Sequence, residues 1–233
     1  MRATPAAPGR SPLQVKICCI KSVAEAQLAL RAGATALGLV SEMPSGPGMI
    51  AEERITEIVA NVDGKVETFL LTSQREAGAI VAQQRRTAVD TLQLVHRLPP
   101  EELSTLRSAL PNVRLVQVIH VLGLASVEEA VGISTPIDAL LLDSGDPGAP
   151  VPELGGTGRV HDWSLSREIV TRTPLPVYLA GGLKPDNIAE AIRTVRPTGV
   201  DLCNGVRHAG KLDADQLAAF FDAANVADQE VRA

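Results

Sequence analysis

Eight short aliphatic runs alternate with segments of helical period along this chain, and that alternation constrains the fold more than any other feature. The runs are LQVKIC (13–18), ATALGLV (34–40), KVETFLL (65–71), VDTLQLV (89–95), VRLVQVIHV (113–121), IDALLL (137–142), LPVYLA (175–180) and GVDLC (199–203). They are continuous rather than strictly alternating, which suits parallel strands buried on both faces. Between and after them lie helical patterns over 22–33, 51–62, 74–86, 100–110, 126–134, 162–172, 184–195 and 213–226. Ser22, three residues before Glu25, has the spacing of a capping box, and Gly33 ends the first helix as a C-cap. Eight strand–helix pairs in 233 residues read as an α/β chain forming a single-domain (β/α)8 TIM barrel. A doubly wound open sheet has the same alternation and is the alternative. Aromatic residues are only 2% of the chain, so the core has to be built from Leu, Val, Ile and Ala, which fill the layers of such a barrel. The barrel is expected over 13–226, after a disordered lead (1–12) and before a C-terminal tail (227–233).

Composition excludes several classes of function. A net charge of −5 supplies no basic footprint, which argues against nucleic acid as a partner. No apolar run approaches the roughly 18 residues that a membrane-spanning helix needs. The opening MRATPAAPGRSP lacks the apolar stretch of a signal peptide. Three cysteines, two of them adjacent, build no disulfide framework, and adjacent cysteines do not have metal-ligand spacing. The four histidines (96, 120, 161 and 208) are scattered. The expectation is a cytoplasmic protein, monomer or homodimer, with no metal and no cofactor.

In a barrel the chemistry sits at the C-terminal ends of the strands. The first run ends in VKICCIKS, with Cys18 and Cys19 side by side. Neighbours on a strand point to opposite faces, so at most one of them is expected to look into a site. Asp143 directly follows the sixth run, and a loop of about 20 residues containing GGTGR (155–159) comes after it. The seventh leads to Gly181 and Gly182 just before a helix start, and the eighth to Asn204 and Gly205. Glycines there let backbone N–H groups approach an anion, so these loops point to a phosphate site. Each feature also has an ordinary reading. Glycine pairs make turns, a free cysteine is usually a small buried hydrophobe, and a lone aspartate usually caps or solvates a loop. At a barrel mouth, Cys18 and Asp143 could serve as base and acid. The remaining features are ordinary: Cys203 is expected as buried packing, His161 in the long loop, Trp163 as a packing anchor, and Glu52, Glu53 and Glu57 on a solvated face.

KIC (16–18), AGATALGLV (32–40), DTLQL (90–94), LLLDS (140–144), GGTGRVHDWSL (155–165) and, most specifically, PVYLAGGLKPDNIAEAIRTVRPTGVDLCNGV (176–206) resemble the phosphoribosylanthranilate isomerase family. That family performs an Amadori rearrangement of a phosphorylated aminoaldose to an aminoketose in tryptophan biosynthesis. The resemblance implies Cys18 as the general base that takes the C2′ proton, and Asp143 as the acid that opens the furanose ring. It places a phosphate on the amides of Gly156, Gly182 and Gly205, with Gly158, Gly181 and Asn204 as neighbours. A thiolate beside a phosphate dianion is disfavoured, so such a base needs electrostatic help. The chain also departs from the family pattern. Cys19 stands where the family has Gly, and Gly48 where an Arg holds the anthranilate carboxylate. His96 is displaced by one position, Gln117 stands for a Lys, and His120 for an Arg. Losing a charge-assisted anchor costs roughly 1.5–3 kcal/mol. Arg54, Arg75 and Arg97 are the candidate replacements. Three functions stay open: an isomerase of this family, an enzyme of the same barrel whose phosphorylated substrate lacks the carboxylate, or a phosphate-binding barrel without catalysis.

Overall fold

A computed structural model describes residues 11–62, 64–133 and 136–233. Eight parallel strands close in chain order into a barrel: β1 (Gln14–Ile17), β2 (Ala36–Val40), β3 (Glu67–Thr72), β4 (Thr91–Leu94), β5 (Arg114–His120), β6 (Ala139–Asp143), β7 (Val177–Leu179) and β8 (Gly199–Leu202). The helices that return the chain are α1 (Val23–Ala32), α2 (Glu52–Val62), α3 (Ala77–Thr87), α4 (Pro100–Ala109), α5 (Leu124–Gly132), α6 (Trp163–Arg172), α7 (Ile188–Val195) and α8 (Ala214–Arg232). Closure removes the open-sheet alternative, because β1 pairs with both β2 and β8. The stop signal acts as read, and the capping box forms by half, since the Glu25 carboxylate accepts the Lys21 N–H at 3.0 Å rather than that of Ser22. The Ser22 side chain accepts the Glu25 N–H at 3.2 Å, and Gly33 adopts φ +108° to end α1.

Strand alternation divides the apolar residues between two cores. Val15, Ile17, Leu37, Leu39, Leu92, Leu115, Leu140 and Leu142 face outward and pack under the helices. Ala36, Val40, Phe69, Val116, Val118, Ala139, Leu141 and Tyr178 fill the barrel, with Phe69 and Tyr178 meeting edge to face at 5.9 Å. Two charged residues share this interior. Lys16 and Asp201 are register partners across the β1–β8 seam, and their ion pair measures 2.9 Å.

The chain does not end in the expected tail over 227–233. Helix α8 runs on to Arg232, because its last turns have a face to bury. Ala227 and Asp228 are buried, the Asp228 carboxylate accepts the Leu13 N–H at 3.1 Å, and Arg193 on α7 reaches Glu230 at 2.7 Å. Most of the expected lead (residues 1–10) lies outside the described residues; Leu13, just after it, is tied to α8 by that bond. Trp163 opens α6 and packs against the helical core, as a packing anchor does. Glu52 is less solvated than expected. It bridges α2 to α3 through the Arg86 guanidinium and the Gln83 amide, the latter at 3.0 Å.

Candidate active site

A cavity of about 260 Å³ opens at the C-terminal ends of the strands. Cys18, Asp143, Gly156, Gly158, Gly181, Gly182, Asn204 and Gly205 all line it. One wall is glycine-rich. Gly182 sits at φ +63°, and a Cβ there would lie 2.7 Å from the Arg159 backbone, so no other residue type fits without movement. A Cβ on Gly205 would stand 2.0 Å from the Leu183 carbonyl oxygen. The Asn204 amide donates to the Gly156 carbonyl at 3.3 Å, tying the loop after β8 to the loop after β6. The helix after β7 starts later than expected. The Asn187 side chain accepts the Lys184 N–H at 2.9 Å and donates to the Gly182 carbonyl at 3.0 Å. These side-chain bonds hold a turn in front of α7, which begins only at Ile188. The glycines therefore meet a pinned turn rather than a helix terminus.

Cys18, just past the end of β1, and Asp143, the last residue of β6, stand at the mouth, and glycines make room for both. A Cβ on Gly38 would come within 2.6 Å of the Cys18 sulfur, and one on Gly155 within 2.7 Å of an Asp143 oxygen. Asp143 accepts the Ser144 N–H at 2.7 Å, and the Ser144 hydroxyl meets the Thr157 hydroxyl at 2.8 Å, which fixes the glycine loop beside the carboxyl. Burial pushes the Asp143 carboxyl up to about 6. The Ser144 N–H and Lys16 oppose that rise, while the Asp201 charge adds to it. Beneath the mouth, burial alone would lower the Lys16 ammonium, but Asp201, with Cys18, more than offsets this and holds it charged. Lys16 is fully buried, and a Cβ on Gly38 would also lie 3.0 Å from its nitrogen, so the ammonium and the Cys18 thiol crowd the same glycine.

Both cysteines face the cavity, against the expectation that only one would. Strand β1 ends at Ile17, and Cys19 adopts φ +60° beyond it, so strand alternation no longer governs its direction. The neighbouring thiols of Cys18 and Cys203, together with burial, push the Cys19 thiol up, so it stays protonated. Cys203 is not buried packing either. It lies two residues past the inward-facing Asp201, half-buried, and lines the same cavity. The neighbouring Cys19 thiol and the Arg207 charge lower its thiol against the opposing effect of burial.

The side of the cavity reached from β2 to β4, across the barrel from the loops after β7 and β8, is mostly apolar, with Val40, Met43, Leu71 and Val95; the buried Gln93, register partner of Leu71, is the polar exception. None of the candidate replacement arginines lines it. Arg54 pairs with Glu57 at 2.5 Å, Arg97 with Glu129 at 3.5 Å, and Arg75 lies 3.3 Å from His96 Nδ1. The Gln117 amide is committed to the carbonyls of Leu94, His96 and Val118. Burial lowers the pKa of His120, and drives His161 down to about 4, where its Nε2 lies 2.6 Å from the Ser166 hydroxyl. Sequence reasoning missed Lys16, Gly38, Ser144, Gly155 and Asp201. A lysine, an aspartate and a glycine inside apolar strand runs were the available signal, since each is out of place in a buried strand unless something approaches it.

A family model described as N-(5′-phosphoribosyl)anthranilate (PRA) isomerase matches residues 15–223. The N-(5′-phosphoribosyl)anthranilate isomerase of Haloferax volcanii is 36% identical, over 92% of this chain and 94% of its own length. The crystal structure of phosphoribosyl anthranilate isomerase from Thermus thermophilus superposes with a TM-score of 0.76 at 28% identity, covering 91% of this chain and 98% of that one. A solved isomerase in complex with reduced 1-(o-carboxyphenylamino)-1-deoxyribulose 5-phosphate gives a TM-score of 0.75 at 26% identity, covering 92% and 99%. Among the described residues, no helix is long and apolar enough to cross a membrane.

Proposed function

Because the chain belongs to the N-(5′-phosphoribosyl)anthranilate isomerase family, we propose that it rearranges N-(5′-phosphoribosyl)anthranilate to 1-(o-carboxyphenylamino)-1-deoxyribulose 5-phosphate. The observation that carries this reading is a thiol and a carboxyl pushed up to about 6, facing one cavity with a glycine-rich wall. The backbone N–H groups of Gly156, Gly182 and Gly205, with Lys184 at the rim, hold the phosphate. Gly158, Gly181 and Asn204 shape that wall. Asp143, protonated, gives its proton to the ring oxygen, and the C1′–O bond breaks to leave a C1′–nitrogen iminium. Cys18, as thiolate, takes the C2′ proton, and those electrons neutralise the iminium to an enolamine. Return of a proton to C1′ and loss of the enol proton give the ketose, with no net change in atoms or electrons. The buried Lys16 ammonium is the electrostatic help that a thiolate near a phosphate needs. Every group named comes from one chain, so a single barrel suffices, whether monomer or homodimer. A reducing cytoplasm suits its three free thiols.

The test is turnover of N-(5′-phosphoribosyl)anthranilate by the purified protein, followed as loss of substrate fluorescence. Cys18→Ala and Asp143→Asn are each expected to lower kcat by roughly 10²–10⁴ with KM little changed. Absence of turnover, together with failure to rescue a strain lacking the isomerase, sinks the reading.

A further inference from the structure

The apolar end of the cavity carries more information than its shape. Among the described residues that line the cavity, Lys184 is the one lysine or arginine, and it stands at the glycine-rich end. An anthranilate ring bound at the other end would bring its carboxylate among Met43, Leu71 and Val95, where the neutral Gln93 amide is the polar group and no cation is present among the described residues. Burying a carboxylate without a partner charge is costly, whereas burying an uncharged ring there is favourable.

The backbone also explains why no side chain supplies that charge. Position 48 directly follows Ser45, Gly46 and Pro47, the residues of the loop after β2 that line the cavity. Gly48 sits at φ +85°, and a Cβ built on it would lie 2.5 Å from the Cys19 Cβ and 3.0 Å from the Cys19 sulfur. Cys19 cannot swing aside. The Arg207 guanidinium donates to the Cys19 carbonyl at 2.6 Å and to the Cys18 carbonyl at 3.2 Å, and is itself anchored on Glu25 at 2.8 Å. The Cys19 thiol points at the Pro47 carbonyl at 3.7 Å, sealing the contact between the two loops.

We propose that the enzyme also isomerises 5-phosphoribosylamines of aromatic amines that carry no carboxylate, and that Cys19 sets this specificity by holding position 48 to glycine. The inference rests on the reading of the cavity as a site for a 5′-phosphoribosylamine. The bonds involved are unchanged. Asp143 and Cys18 act on the ring oxygen and C2′ of the sugar, and nothing in the step uses the carboxylate.

The deciding measurement compares N-(5′-phosphoribosyl)anthranilate with N-(5′-phosphoribosyl)aniline, the latter formed in place from aniline and ribose 5-phosphate. The expected result is a kcat/KM for the aniline substrate within about ten-fold of that for anthranilate, or above it. A larger preference for anthranilate overturns the proposal and leaves the isomerase reading intact; turnover of neither substrate overturns both. The role of Cys19 is read from a mutant cycle. Gly48→Arg alone should lower Tm, and adding Cys19→Gly should restore part of it and shift the substrate ratio toward anthranilate by ten-fold or more. If Gly48→Arg alone keeps the Tm of the parent and already shifts the ratio, Cys19 does not set the specificity.

Discussion

A carboxyl group at the end of a barrel strand can deliver a proton near neutral pH only if its surroundings disfavour its charge. Asp143 meets that condition through burial, reinforced by the negative charge of Asp201. Two consequences follow for measurement. The proposed acid has to be protonated, so turnover should fall as pH rises through about 6. Stability should follow the same group. Its folded pKa lies above its ordinary value of 3.8, so the folded state binds the extra proton between the two values. The penalty is therefore absent below about 4, grows as pH rises, and is complete above about 6, on the order of 2–3 kcal/mol. Asp143→Asn keeps the oxygen that accepts from Ser144 but cannot ionise. It is expected to be inactive yet to melt higher than the parent at pH 8, the gap closing toward pH 4; equal Tm values at pH 8 would contradict this account. The same reasoning separates the paired thiols. Cys18 stands on the strand register beside the Lys16 ammonium, whereas Cys19 has left the strand and is held protonated by its thiol neighbours.

At the scale of elements, side chains rather than propensities decide where α7 starts and where α8 stops. Asn187 holds a turn ahead of α7, and Asp228 gives the last turns of α8 a partner in the N-terminal backbone. Asp228→Ala leaves the Leu13 N–H without its acceptor and should cost about 1–3 kcal/mol, seen as a lower denaturant midpoint with an unchanged slope. The loops after β7 and β8 interlock as tightly, since the Leu183 carbonyl fills the place of a Gly205 side chain. Inorganic phosphate at about ten times its dissociation constant should raise the Tm of the parent by roughly 3–6 °C. Gly205→Ala should lose that shift; a variant that keeps it would remove Gly205 from the phosphate site.

For the whole molecule, the seam between β1 and β8 is where closure meets chemistry. The Lys16–Asp201 pair crosses it inside the barrel, beneath the two reacting groups, and Lys16 also lies over the Phe69 ring at 5.2 Å. Lys16→Met leaves a buried carboxylate uncompensated and should destabilise the barrel by about 3–5 kcal/mol, while Lys16→Met with Asp201→Leu should recover most of it. Equal stability of the single and double variants in chemical denaturation would show that the pair is not coupled.

The strands, the helices and the residues at the strand ends were legible in the sequence because they are local. Apolar runs and helical periods record which face each segment buries, and a barrel brings every strand end to one rim, so Cys18, Asp143 and the glycines of the last three loops could be named in advance. What the sequence could not decide were contacts between residues distant along the chain. The pairing of Lys16 with Asp201 required closure of the barrel. The extension of α8 required the Leu13 backbone as a partner. The direction of Cys19 required the Arg207 clamp and a φ that only the folded loop imposes. Read singly, Cys19 and Gly48 are two unrelated departures from a family pattern. In the tertiary structure they touch: a Cβ at 48 would meet the Cys19 side chain, and the positive φ of Gly48 adds its own preference for glycine.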